Sequence, residues 1–223
     1  MKMFIQGIKL AFTITLATVI SADFAIANLI ASTPPPAPQT GTSGSPQSGG
    51  ATRPGESKCP NANTRPIAFI PKVLKTTLAS PTFWFYIPYS PNDVDSFSFV
   101  ILDEQDRYVI SPKSIKLSGT PGFISLRFPS QTFEIDKNYR WYLSINCDSQ
   151  NEEDRISLHG TVQRIASTST ENVNWYRPLV ELAERRRTNS SDPELKAEWD
   201  KLMESLNFSN ISAQPIVPCC SLD

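Results

Sequence analysis

Histidine is almost missing from this chain: His159 is the only one among 223 residues. A nucleophilic serine or cysteine ordinarily needs a base beside it, so imidazole-assisted chemistry has a single place to occur. The strings that mark common enzymes are missing too. There is no G-x-S-x-G elbow, S-x-x-K dyad, H-E-x-x-H helix or Walker loop. These absences argue against the usual hydrolase and nucleotidase chemistries. The four cysteines include no C-x₂-C pair, which with one histidine makes tetrahedral zinc the minor alternative to disulfides. A basic excess is lacking as well, since 21 basic residues face 22 acidic ones, and nucleic acid is therefore not an expected partner. The uncharged stretch Leu10–Ala22 is short for a membrane-spanning helix. The sequence accordingly points to no catalytic residue, no metal and no cofactor.

What is present begins with an export pattern. Lys2 and Lys9 precede an apolar run from Leu10 to Ile20, and Ala25-Ile26-Ala27 fits the small-x-small cleavage rule. Residues 1–27 are expected to be a signal peptide, leaving no integral membrane segment after cleavage. Residues 28–58, with Pro34-Pro35-Pro36 followed by Gly/Ser/Thr-rich sequence, read as a linker. Outside the cytoplasm, cysteines are more often disulfides than metal ligands. Cys59 opens the expected folded region and Cys147 closes a strand, so Cys59–Cys147 is the favoured bridge. Cys219 and Cys220 are neighbours, able to join each other in a strained ring or to reach another chain.

Between Pro66 and Ile165 short apolar segments alternate with turn chemistry. Strands are predicted at Thr82–Tyr89, Phe97–Leu102, Tyr108–Ile110, Ser114–Leu117, Phe123–Phe128, Tyr139–Asn146 and Arg155–Ile165, with Ile67–Val73 as an eighth. Residues 139, 141, 143 and 145 form one apolar face of their strand, and 156, 158 and 162 do the same in theirs. Tyr139, placed after a short turn, resembles the tyrosine corner of immunoglobulin-like sandwiches. The fold expected is mainly β: an immunoglobulin-like antiparallel β-sandwich over 59–167, followed by a helical hairpin over 168–210 and a tail over 211–223. The first helix runs through Val173, Trp175, Tyr176, Leu179 and Leu182 to Arg185-Arg186-Arg187, cations suited to a helix C-terminus. The second starts at a capping box in Ser191-Asp192-Pro193-Glu194 and places Leu195, Trp199, Leu202, Met203 and Leu206 on one stripe.

The segment Phe83-Trp84-Phe85-Tyr86-Ile87-Pro88-Tyr89 is apolar on both faces. Either another layer covers the second face, or that face binds a ligand. The helical stripe is expected to pack on Trp84, Tyr86 and Tyr142. The alternative is a carbohydrate platform made of Trp84, Tyr86, Tyr142 and Trp175. With Pro81-Thr82 before it, and together with Val100-Ile101-Leu102-Asp103, Pro121-Gly122, Tyr139-Arg140-Trp141-Tyr142, Cys147-Asp148, Asn174-Trp175-Tyr176 and the Trp199-x-x-Leu202 helix, this segment resembles a cyanobacterial exported family catalogued as domain of unknown function nine-two-eight. The resemblance covers about Arg53 to Pro218 and implies export and a cyanobacterial source. It brings no functional residues with it.

Two constellations remain. Asp103-Glu104-x-Asp106 is a dense acidic turn whose carboxylates could act as acid and base or hold calcium, though a solvated hairpin turn explains it as well. His159 falls on the polar side of its strand. The expected function is that of an exported, non-enzymatic module contacting an envelope protein, with polysaccharide binding or an unrecognised enzyme activity as the alternatives.

Overall fold

The computed structural model describes residues 59–60, 65–128, 133–150, 155–168 and 175–220. The expected signal peptide and linker lie outside them. Eight strands form two sheets: β1 (Ile67–Ala68), β2 (Val73–Thr76), β3 (Phe83–Ile87), β4 (Ser96–Leu102), β5 (Tyr108–Ser114), β6 (Gly122–Leu126), β7 (Asn138–Asn146) and β8 (Ile156–Arg164). One sheet has the order β1-β3-β6 and the other β2-β8-β7-β4-β5. Two helices follow, α1 (Tyr176–Thr188) and α2 (Pro193–Ser205). The chain is thus mainly β with two C-terminal helices. Among the described residues no helix is long and apolar enough to cross a membrane.

Alternation in β3 and β7 builds the core between the sheets. Phe83 and Phe85 on β3 meet Phe99 of β4 and Trp141 of β7, with ring centroids 5.2–6.2 Å apart. The opposite side of β3 is covered as well, and both Trp84 and Tyr86 are buried. Tyr86 packs on Phe123 of β6, which meets Trp199 of α2 edge-on at 5.0 Å. The Tyr176 hydroxyl at the start of α1 donates to the Thr82 carbonyl. The apolar helix stripe and the second apolar strand face therefore satisfy one another, each removing the other from water.

Several elements depart from expectation. Ile67–Val73 divides into β1 and β2, which join different sheets. Pro71 lies between them, and a residue without an N–H cannot continue a ladder. β2 pairs with β8 in parallel, so the sheets are not wholly antiparallel. Such a pair needs a long connection, and β2 and β8 come from opposite ends of the β region. The strand expected at 108–110 runs on to Ser114 as β5 despite Pro112, and residues 115–117 of the strand expected at 114–117 lie outside any strand. β5 is an edge strand, and its register against β4 shifts twice, which accommodates a proline.

The helix boundaries also have local causes. Trp175 stands at the N-cap of α1 and Pro178 in its first turn, where a missing N–H removes no helical bond. Val173 lies outside the described residues. In α2 the cap is the Asp192 side chain, accepting from the N–H groups of Glu194 and Leu195, rather than a box between Ser191 and Glu194. Pro193 follows as the first helical residue. Asp192→Ala is expected to cost about 1 kcal/mol, read as a lower urea midpoint with an unchanged slope.

Tyr139 begins β7 by closing the preceding turn. Its ring stacks on Phe133 at 4.4 Å, and its hydroxyl accepts from the Glu134 N–H at 2.9 Å. At the other end of β7, Cys147 is joined to Cys59, with Cα atoms 5.1 Å apart.

Candidate functional site

The acidic turn sits between β4 and β5. Asp103 opens it as an Asx turn, its carboxylate accepting from the N–H groups of Gln105 and Arg107, both at 2.9 Å. The Arg107 guanidinium closes on the same carboxylate, Nε at 2.8 Å and a terminal nitrogen at 2.7 Å. Burial pushes the Asp103 carboxyl up, but these Arg107 and Gln105 contacts outweigh it and hold the group below its ordinary range. Asp106 takes the left-handed conformation at φ 61°, which aspartate tolerates, and pairs with Arg140 of β7.

Glu104 reaches across to the turn before β7. It accepts from the Asn138 backbone N–H at 3.1 Å and from the side-chain amide at 2.9 Å. Those two bonds lower its pKa, the side-chain one most. Asp103, Glu104, Lys137, Asn138 and Tyr139 line part of an open depression of about 330 Å³. The Asp103 and Glu104 carboxylates in its lining are held ionised, and each accepts hydrogen bonds from its neighbours. A general acid needs a raised pKa, whereas these two carboxyls are shifted the other way, and the Glu104 bonds brace the β4–β5 turn against the start of β7.

His159 does not line that depression. It lies on the outer face of the five-stranded sheet, exposed, beside Tyr142 at a ring separation of 6.0 Å. The pairing register continues this face as a row of serines, Ser114, Ser98, Ser144 and Ser157, across four neighbouring strands. Among the described residues, no three His, Cys, Asp or Glu side chains gather as metal ligands.

The four candidate aromatics separate. Trp84, Tyr86 and Trp175 are buried, which removes them from any sugar-stacking surface. Tyr142 is half-buried on the face just described, so it does not lie beneath the helices with Trp84 and Tyr86. Its neighbour Trp141 points into the core, and successive strand residues must point to opposite sides.

Burial also sets how two phenols titrate. It pushes Tyr89 up to about 12, with the Arg65 charge pulling partly back, and it raises Tyr86. The unfolded chain loses these protons first, near the ordinary value of about 10. The stability they contribute is therefore complete below pH 10 and is lost as pH rises through the folded values. Alkaline unfolding curves should show stability falling from about pH 10, and Tyr89→Phe should flatten that fall.

Arg107, Asn138 and Arg140, which bond to the acidic turn, were not visible as its partners in the sequence. Asn138 and Arg140 lie more than thirty positions away, and pairing of β4 with β7 brings them in. The tail holds another element the sequence left irregular. Ile216 makes a parallel bridge to Phe123, so residues 215–217 extend the β6 edge. Cys219 and Cys220 follow after Pro218 and are joined to each other. Arg186, expected as a helix-end charge, also stacks over Trp199 at 5.2 Å.

A family model described as Domain of Unknown Function (DUF928) matches residues 48–216. No curated protein and no solved structure matches the chain.

Proposed function

The chain belongs to the family described as Domain of Unknown Function (DUF928), and from that premise we propose an exported, non-enzymatic module that acts through protein contacts in the cell envelope. The observation that carries this reading is the state of the acidic turn. Asp103 and Glu104, the groups best suited to acid–base work, are committed to Arg107, Gln105 and Asn138. Export is supported by the N-terminal pattern of residues 1–27 and by the Cys59–Cys147 bridge, since disulfides persist outside reducing compartments. The architecture is read as an immunoglobulin-like sandwich extended by a helical hairpin. The facing sheets, the Tyr139 corner and the Arg185–Glu198 ion pair at 3.2 Å between α1 and α2 support that description.

A polysaccharide ligand keeps one observation in its favour, the Tyr142–His159 pair beside the serine row on an outer sheet face. The deciding experiment is crosslinking in cells, followed by identification of captured species. Recovery of a defined envelope protein, unaffected by Asp103→Asn and Glu104→Gln, is the expected result. Repeated recovery of no protein, or retention only on glycan, would sink the protein-contact reading.

A further inference from the structure

The two cysteine pairs have different physical meanings. Cys59–Cys147 spans 88 residues and Cys59 is buried. A bridge between neighbours closes no loop, so in the chain-entropy account Cys219–Cys220 contributes nothing of that kind. Adjacent residues lie about 3.8 Å apart at Cα across a peptide bond, and these two stand at 3.7 Å. Ordinary disulfides begin near 4.4 Å, and those outside the usual range are the more easily reduced.

The tail presents this pair at a fixed place. The Phe123 N–H donates to the Pro215 carbonyl at 2.8 Å, and the Val217 N–H donates to the Phe123 carbonyl at 2.9 Å. Gly122 permits that approach, since a Cβ there would stand 2.7 Å from the Pro215 oxygen. Val217 is buried, whereas Pro218 is exposed and both cysteines are half-buried. The backbone is thus anchored just before the sulfurs, which emerge beside the β6 edge. Cys219 Sγ lies 4.0 Å from the Lys116 carbonyl oxygen.

We propose that Cys219–Cys220 is a thiol-exchange site through which the chain is joined covalently to a partner protein bearing a free thiol; the partner rests on the protein-contact reading above. The partner's thiolate attacks Cys220 Sγ and forms a mixed disulfide. The Cys219–Cys220 bond breaks, and Cys219 leaves as a thiolate that takes up a proton. One disulfide and one thiol enter and the same leave, so no external oxidant is required.

The test uses the full chain, reduced glutathione as the probe under exclusion of oxygen, alkylation to stop the reaction, and peptide mass mapping. The expected result is glutathione on Cys220 and an alkylated Cys219, at about a tenth or less of the glutathione concentration that opens Cys59–Cys147. Both bridges opening together, or a pair that stays closed until the fold is denatured, would overturn the proposal. An adduct on Cys219 instead would overturn the assignment of the attacked sulfur. The double variant Cys219→Ser/Cys220→Ser should melt within about 2 °C of the parent. A loss as large as that from breaking Cys59–Cys147 would make the pair structural and defeat the proposal. The in-cell experiment separates the two readings. A partner captured equally by the double-serine variant supports protein contact and refutes covalent joining.

Discussion

Gly160→Val should destabilise the fold by about 3 kcal/mol, near the upper end for overfilling a packed core. Gly160 of β8 sits directly opposite Trp141 of β7. A Cβ at this glycine would stand 2.8–2.9 Å from three atoms of the indole. The indole cannot swing away, because Phe83, Phe85 and Phe99 surround it at 5.7–6.3 Å between centroids. Valine's better strand propensity offsets at most about 1 kcal/mol. Urea unfolding should show a lower midpoint at constant slope. Combining Gly160→Ala with Trp141→Phe should cost less than the sum of the single changes, because the smaller ring makes room for the methyl group. Additive losses would mean that the two residues do not share the space.

The second large effect concerns Cys59–Cys147. Replacing both cysteines with serine should cost roughly 4–5 kcal/mol by the chain-entropy relation for a separation of 88 residues. Domains have only about 5–15 kcal/mol of stability to lose, and the melting temperature should fall by roughly 10–20 °C. The denaturant slope should rise, because the unfolded chain without its crosslink exposes more surface. A loss below about 1 kcal/mol would show that the bridge constrains the unfolded ensemble little.

These two predictions differ in how much of their basis could be read from the chain. Compartment and position pointed to the cysteine pairing. The glycine was visible only as a gap, since the alternating apolar positions 156, 158 and 162 skip 160. The gap is filled from another strand by the Trp141 ring, and a one-strand pattern carries no information about a neighbour's side chain. The acidic turn follows the same logic. Asp103 as a turn former is local chemistry, legible in three or four residues. The bonds from Asn138 to Glu104 and the ion pair of Arg140 with Asp106 depend on which strand lies beside β4.

Local pattern alone determined the alternation of buried and open positions in β7 and β8, the proline-started second helix and the two-sided apolar character of β3. Each depends on periods of two or 3.6 residues, which side-chain polarity writes directly into the chain. Tertiary structure decided what those patterns meet. It set Trp84 and Tyr86 under cover and Tyr142 on an open sheet face, paired β2 with β8 in parallel, and placed the tail along β6. The physical reason is that burial and strand pairing are contacts between distant segments. Their free energy exists only once the chain has closed on itself.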